Sequence, residues 1–439
     1  MRDSQADPNA DDRTAIPGNA SRITPTYAAA FHCIGTDCED HCCKHWDIPL
    51  DKRTFAQYQL FPAEKLGAVV RDFVTISPAG SPDGLYAHIR RQKSGTCPFF
   101  GPDRLCGIQK EYGATLLSAS CSIYPRSLSH VDAVLEGTLS LSCPEVARNV
   151  LLNPNFMQVE GDLFSGDFRT DNTYQLSRVG WESVSEPFRL FHAVRSVLIE
   201  IVRDRSRPLW ERLLLIGCLC MRLEGIASSR TEGAREGAVD ALLIDYRQLV
   251  ENEQLHAELQ SLPSQPKLRL EVVLALTSER VEEKTCGDRF RDTFWTFVEG
   301  IGSASPSGPD DDLGRLLNAE QRYHRPFFER SPFILENYLL NYIFQNLFPF
   351  GQAGSDRFIP RSIFDEWILM TTQFAWIDTL LIGIAGHYQE AFGDEHVVRT
   401  IQSFTRAVAH YPGILNSIDE YIAARKLNNL RGMAVMLKS

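Results

Sequence analysis

The chain has little unbroken apolar sequence. Its most apolar window, Trp367 to Ile384, is interrupted by Thr371, Thr372, Gln373 and Asp378, and Asp365 and Glu366 precede it closely. A membrane-spanning helix needs about 20 predominantly apolar residues with no charge near its centre. No transmembrane segment is therefore expected, and the window reads as a buried helix. The opening stretch, MRDSQADPNADDRTAIPGNASRITPTY, carries acids where an export signal is basic and holds no apolar run of signal length, so no export signal is expected. Also missing are Lys/Arg runs able to follow a phosphate backbone, an internal repeat and a sustained heptad array. These absences argue against nucleic acid as a partner, a solenoid and a coiled coil. The net charge of -11 suits a basic substrate such as a lysine-bearing protein.

Cysteine is what the chain has in quantity. Of its 11 cysteines, Cys33, Cys38, Cys42, Cys43, Cys97, Cys106, Cys121 and Cys143 fall in the first third, opening with FHCIGTDCEDHCCKHW. Disulfide frameworks serve domains too small to build a core. At 439 residues and 44% apolar composition, this chain can bury sizeable cores without covalent staples. Clustered thiols without an export signal point to a reducing compartment, the cytosol, and to metal binding or redox chemistry.

The composition divides the chain into four parts. Residues 1–26 read as a disordered lead-in rich in Asp, Asn, Pro and Ser. From 27 to 150 the sequence is loop-rich and punctuated by Gly and Pro, with room for short helices at Lys52 to Gln59, Ile108 to Tyr112 and Pro144 to Leu152. A hairpin is expected through Arg126 to Leu141, turning near Asp132 or at Glu136-Gly137. A connecting region of some strand character spans 151–179. From 180 to 439 helical periodicity takes over, starting with Phe188, Phe191, Val194, Val197, Leu198 and Ile201 behind Ser185 and Pro187. Further helices are expected at Trp210 to Glu224, Asp240 to Leu259, Leu268 to Glu283, Arg291 to Gly300, Pro332 to Leu347, Ile363 to Ala385, Glu395 to His410 and Ile414 to Arg425. GSASPSGPDDDLG, from Gly302 to Gly314, has linker composition. The fold class is thus mainly α: an irregular cysteine-rich metal-binding domain packed on an all-helical body. A pocket is expected where the two meet.

Structural zinc favours paired C-x2-C or C-x4-C knuckles. Cys33 and Cys38 could form one, but the remaining gaps supply no second. Iron-sulfur ligands can come from scattered loops, since four irons span a larger volume, and the spacing leans that way. Adjacent Cys42 and Cys43 point apart, so both are not expected on one iron. The favoured set is Cys38 and Cys42 with two of Cys97, Cys106 and Cys121. His32, His41 and His45 are alternative ligands or hydrogen-bond donors to sulfur. Cys218 and Cys220, in LLLIGCLCM, read as core thiols, and Cys286 has no assigned role. A thiol oxidoreductase using Cys42-Cys43 is disfavoured, because no C-x-x-C opens a helix.

The ordered blocks FHCIGTDCEDHCCKHWDIPLDKRTFAQY, TCPFF, LCGIQKEYG, CSIYPR and LSCPE resemble the flagellin lysine-N-methylase family, whose amino-terminal part belongs to an iron- or zinc-chelating cysteine-domain group. ILENYLLNYIFQNLFPF and IQSFTRAVAHYPGIL resemble its helical half. The resemblance implies methyl transfer from S-adenosylmethionine to flagellin lysines, with a 4Fe-4S cluster on the cysteine block. All eight early cysteines occupy motif positions. No G-x-G-x-x-G turn follows an expected strand, so the doubly wound donor site is missing. The CxxxCxxC signature of radical S-adenosylmethionine enzymes is also absent, since His45 takes the third place. Candidate proton acceptors in the motif blocks are Tyr124, Glu145 and Glu111, and Arg126 is a candidate clamp for the donor's carboxylate. The competing reading is a non-catalytic zinc- or iron-binding protein. Oligomeric state is not encoded legibly.

Overall fold

The computed structural model describes residues 21–29, 31–44, 48–131, 134–156, 159–161, 174–176, 190–228, 237–250, 252–283, 285–302, 309–351, 361–409 and 411–438. Its described residues are mainly helical, with eight short strands in two sheets. In chain order the strands are β1 Ser21–Pro25, β2 Ile48–Leu50, β3 Val74–Ile76, β4 Ala87–Ile89, β5 Arg126–Val131, β6 Val134–Leu139, β7 Val159–Gly161 and β8 Tyr174–Leu176.

The expected hairpin is β5 and β6, paired antiparallel from Arg126 opposite Leu139 to Val131 opposite Val134. Asp132, one expected turn position, lies outside the described residues, and Glu136-Gly137, the other, lies inside β6. Part of the expected lead-in is ordered: β1 runs parallel to β6, with Ser21 opposite Val134. Its Arg-Ile-Thr sequence sits beside an already formed strand edge, which supplies the backbone partners that composition does not reveal. The larger sheet has the order β7-β1-β6-β5-β8, and the smaller β2-β4-β3.

Two cores result. The small one gathers Ile48, Leu50, Tyr58, Phe61, Val70, Ala87, Ile89, Cys97, Phe99, Ile108 and Leu117. The helix Lys52–Tyr58 starts at Asp51, whose carboxylate accepts from Thr54 N at 2.8 Å, and so carries Tyr58 inward. The large core runs from Tyr27 and Phe31 through Leu139, Val146 and Val150 into every major helix after Phe191. The second half of the cysteine-rich stretch therefore packs with the helical body. Tyr27 Oη donates to Asn341 Oδ1 at 3.1 Å, Asn337 Nδ2 donates to Val150 O at 2.8 Å, and buried Glu136 takes a two-pronged ion pair from Arg195 at 2.5 Å.

At the centre lies the helix Ile363–Tyr388, capped by the Ser362 hydroxyl. It is the one described helix long and apolar enough to cross a membrane, and nearly all of that window is buried within the protein. Glycines let its neighbours approach to backbone contact. A Cβ on Gly300 would lie 1.8 Å from Gly383 O, and one on Gly217 would lie 2.2 Å from the Trp367 ring. Trp376 donates to Thr277 Oγ1 at 2.7 Å and meets Phe404 edge-on at 5.1 Å, so the central helix backs the segment Asp394–Phe404 that faces the thiols.

Three helical expectations are corrected. The stretch Asp240 to Leu259 is two helices, Ala238–Val250 and Glu253–Gln260, because Asn252 turns its side chain onto Gln254 N and Leu255 N and starts the second. The linker-like 302–314 stretch ends inside a helix, Pro309–Ala319, whose Leu316 and Ala319 are buried. Pro at a helix start with acids in the first turn favours this. A final helix, Leu430–Leu437, begins at the Asn429 cap. Ser185 and Pro187, named as the start of the first large helix, lie outside the described residues, and that helix spans Phe191–Arg203.

Candidate functional site

Backbone pairing brings distant cysteines together. An isolated bridge between Lys44 and Thr96 sets Cys97 N on Cys43 O at 2.8 Å. A second bridge, Phe100 to Cys106, folds the Cys106 loop back on Phe99, where Gly107 N donates to Phe99 O at 2.7 Å. The short helix Ala119–Ile123, capped by Ser118, delivers Cys121. Cys43, Cys106 and Cys121 all pack on the small core that holds Cys97. All 11 cysteines are free thiols.

These sulfurs feel one another. Cys42 interacts electrostatically with Cys97, Cys106 and Cys121, and Cys43 does so with Cys97 and Cys106. Cys38 and Cys143 form a flanking group that also reaches Cys42. The structure thus groups Cys42 with Cys97, Cys106 and Cys121, and sets Cys38 beside Cys143. Cys33 is exposed and interacts with Arg126.

Burial raises most of these thiols: Cys97 to about 11 and Cys143 to about 12, with Cys38, Cys106 and Cys121 also up. Hydrogen bonds oppose it, from the backbone of Phe99 to Cys97, of Gln109 and Ile108 to Cys106, and of Val146 and Glu145 to Cys143. Cys42 is the exception. The Cys43 thiol donates to it, and with Arg406 nearby its pKa is lowered, while Cys43, giving that bond, is raised. Cys42 is the more acidic thiol of the pair.

Among the described residues no three His, Cys, Asp or Glu side chains stand in place to hold a single metal ion. Cluster ligands stand farther apart because several irons lie between them. Thiols within electrostatic reach of one another, with backbone N–H groups on several of the sulfurs, have the donor chemistry of that class of group, since such hydrogen bonds tune cluster thiolates.

The remaining candidates separate. Tyr124 belongs to the site: its hydroxyl bonds Ser142 Oγ at 3.0 Å, Ser142 bonds Ser140 Oγ at 2.8 Å, and Cys143, Cys42 and Arg406 lie within electrostatic range. Burial raises its pKa well above 10.0, so it is a neutral hydrogen-bond donor and not a ready base. Glu145 follows Cys143 but is held by Arg148 at 2.8 Å. Arg148 also pairs with Glu39 beside Cys38. Arg126 is half-buried with its guanidinium 5.6 Å from the Phe31 ring centre. Glu111 is outside the site, in an exposed pair with Lys65 at 2.9 Å. His32 is exposed, His41 Nε2 accepts from Arg104 Nε at 3.0 Å, and His45 lies outside the described residues. Cys220 and Cys286 are buried in the helical core and Cys218 packs against it.

Arg406 and Gln402 were not legible as site residues. Gln402 Nε2 donates to Asp40 Oδ2 at 2.9 Å and Ser142 O at 2.8 Å. Arg406 bonds the loop carbonyls of Asp40, His41 and Lys44 at 3.1, 2.7 and 2.8 Å and pairs with Asp40 Oδ2 at 2.9 Å. Both lie in IQSFTRAVAHYPGIL, where the sequence shows only polar positions on a helix.

Comparison with known proteins adds the following. A sequence profile described as the FliB lysine N-methylase C-terminal domain matches residues 195–436. The lysine-N-methylase of Salmonella typhimurium is 29% identical over 186 residues, covering 40% of this chain and 46% of that protein, and that of Salmonella choleraesuis matches to the same extent. The flagellar biosynthetic protein FliU of Salmonella muenchen is 34% identical over 134 residues, 30% of this chain and 78% of that protein. The matches thus span about half the length of the two lysine-N-methylases. No solved structure matches. With the profile covering more than half of its length, the chain belongs to the FliB lysine N-methylase family.

Proposed function

We propose that this protein is an S-adenosylmethionine-dependent lysine N-methyltransferase acting on flagellin, with an iron-sulfur cluster held by Cys42, Cys97, Cys106 and Cys121. One observation carries the reading: in a lysine N-methylase family member, Cys42, Cys97, Cys106 and Cys121, from separate segments, lie within electrostatic reach of one another. Simple polar transfer to a neutral lysine needs no iron. Bound here by four thiolates, a cluster would supply one-electron chemistry next to the donor.

The chain's own residues supply the setting. Tyr124, kept neutral by burial, offers an O–H to whatever occupies the site, backed by the Ser142 and Ser140 hydroxyls. Arg126, beside Cys33, has the planar fork suited to a carboxylate. Thiols that burial holds protonated release protons when they ligate metal. Free thiols throughout accord with a cytosolic place of action.

The test is anaerobic reconstitution with iron and sulfide, then incubation with flagellin and methyl-labelled S-adenosylmethionine. Label on flagellin lysines, lost in Cys97→Ser, is the expected result. Label transfer by protein stripped of iron would remove the cluster from the reading, and a colourless zinc-loaded chain that transfers nothing would establish the binding-protein alternative.

A further inference from the structure

The loop that carries Cys38, Cys42 and Cys43 has little regular structure of its own, only the one-turn Gly35–Asp37 segment before it. What fixes it comes from elsewhere in the chain. From the small domain, Arg104 Nη2 donates to Cys38 O at 2.7 Å and Arg104 Nε to His41 Nε2 at 3.0 Å. From the helical body, Arg406 and Gln402 sit one turn apart, and together they take three consecutive-region carbonyls and the Asp40 carboxylate. Gln402 is fully buried and Arg406 half-buried. Gln402 also reaches Ser142 O, next to Cys143. The amide orientation follows from this network, since both partners of Nε2 are acceptors.

We propose that Gln402 and Arg406 are positioning residues for the thiol centre: the family's C-terminal domain holds the Cys38–Lys44 loop so that Cys42 faces Cys97, Cys106 and Cys121. Only a guanidinium can span three carbonyls and a carboxylate at once, because its donors are fixed in a plane. Lysine keeps the charge and the Asp40 pair but loses the fork. The role in cluster holding rests on the function proposed above, whereas the order of the loop does not.

The experiment uses the full chain with Arg406→Gln, Arg406→Lys and Asp40→Asn, the last removing the clamp's partner from the loop side. Two readouts are taken. Iron bound after anaerobic reconstitution should fall about tenfold or more in Arg406→Gln and Asp40→Asn, the range for lost outer contacts to metal ligands, with partial recovery in Arg406→Lys. In iron-free protein, mass-mapped alkylation of Cys38, Cys42 and Cys43 should quicken in the same order, while Cys220 and Cys286 stay protected and report an intact core. Wild-type alkylation rates in all three variants would overturn the proposal. Faster alkylation in a chain whose wild type binds no iron would uphold the clamp and refute the cluster.

Discussion

Asp378 sits in the middle of the central helix and is the counter-charge for buried Arg269, which reaches it at 2.6 Å. Arg269 is 3% exposed. Its other bonds go to Thr379 Oγ1 at 2.6 Å and Ala375 O at 3.3 Å, and Nη1 has no partner. His324 Nε2 stands 3.1 Å from the other carboxylate oxygen. Asp378→Asn leaves the shape and one acceptor but strands the guanidinium. A lost charged hydrogen bond contributes about 1.5–3 kcal/mol, and an uncompensated buried charge brings the total to about 3–5 kcal/mol. Asparagine should fall near the lower end, about 3 kcal/mol, a large part of a typical 5–15 kcal/mol stability. Urea unfolding followed by tryptophan fluorescence is the assay, since Trp367 and Trp376 are buried on the same helix.

The pH dependence is a second check on the same pair. Burial raises the Asp378 pKa, but His324 and Arg269 outweigh it and hold the carboxyl below its ordinary 3.8. A depressed folded pKa gives stability that is fully present above the unfolded value and lost as pH falls through the folded one. The gap between wild type and Asp378→Asn should therefore persist above about pH 5 and close only below the ordinary carboxylate pKa. A loss under about 1 kcal/mol, or a gap that stays open well below the ordinary carboxylate pKa, would refute the ion pair as the support of this helix contact.

Other outcomes follow from the same geometry. Gly383→Ala puts a Cβ 2.3 Å from Phe297 Cδ2, and the overpacking should lower stability by about 1–3 kcal/mol in the same unfolding assay. Glu111→Gln removes only an exposed partner of Lys65, so neither the unfolding midpoint nor methyl transfer should change measurably. In iron-free protein, Cys42, whose pKa is lowered, should be alkylated by iodoacetamide at lower pH than Cys97, raised to about 11. Mass mapping across a pH series reads the order of modification.

Much of the fold could be read from periodicity. Phe191, Val194, Val197, Leu198 and Ile201 are all buried on one helix, as their spacing requires. The strands were less visible because β2, β3 and β4 are three residues each, too short for alternation to declare itself. The split at Asn252 turned on a cap, and the helix from Pro309 on a proline with acids behind it, inside stretches whose composition pointed elsewhere. For the site, the cysteines themselves were legible, but their grouping was not. It depends on the Lys44–Thr96 and Phe100–Cys106 bridges, which are pairings between loops. Arg406 lies more than 360 residues from the carbonyls it holds, and no local pattern marks so distant a partner.

The account stands most directly on metal analysis of the anaerobically reconstituted chain, comparing Cys42→Ser, Cys97→Ser, Cys106→Ser and Cys121→Ser with Cys218→Ser and Cys286→Ser. It predicts about four irons with matching sulfide per chain in the wild type and in the two core-thiol controls, and loss of both in the other four. Equal iron in all six variants, or zinc without sulfide in the wild type, would contradict it.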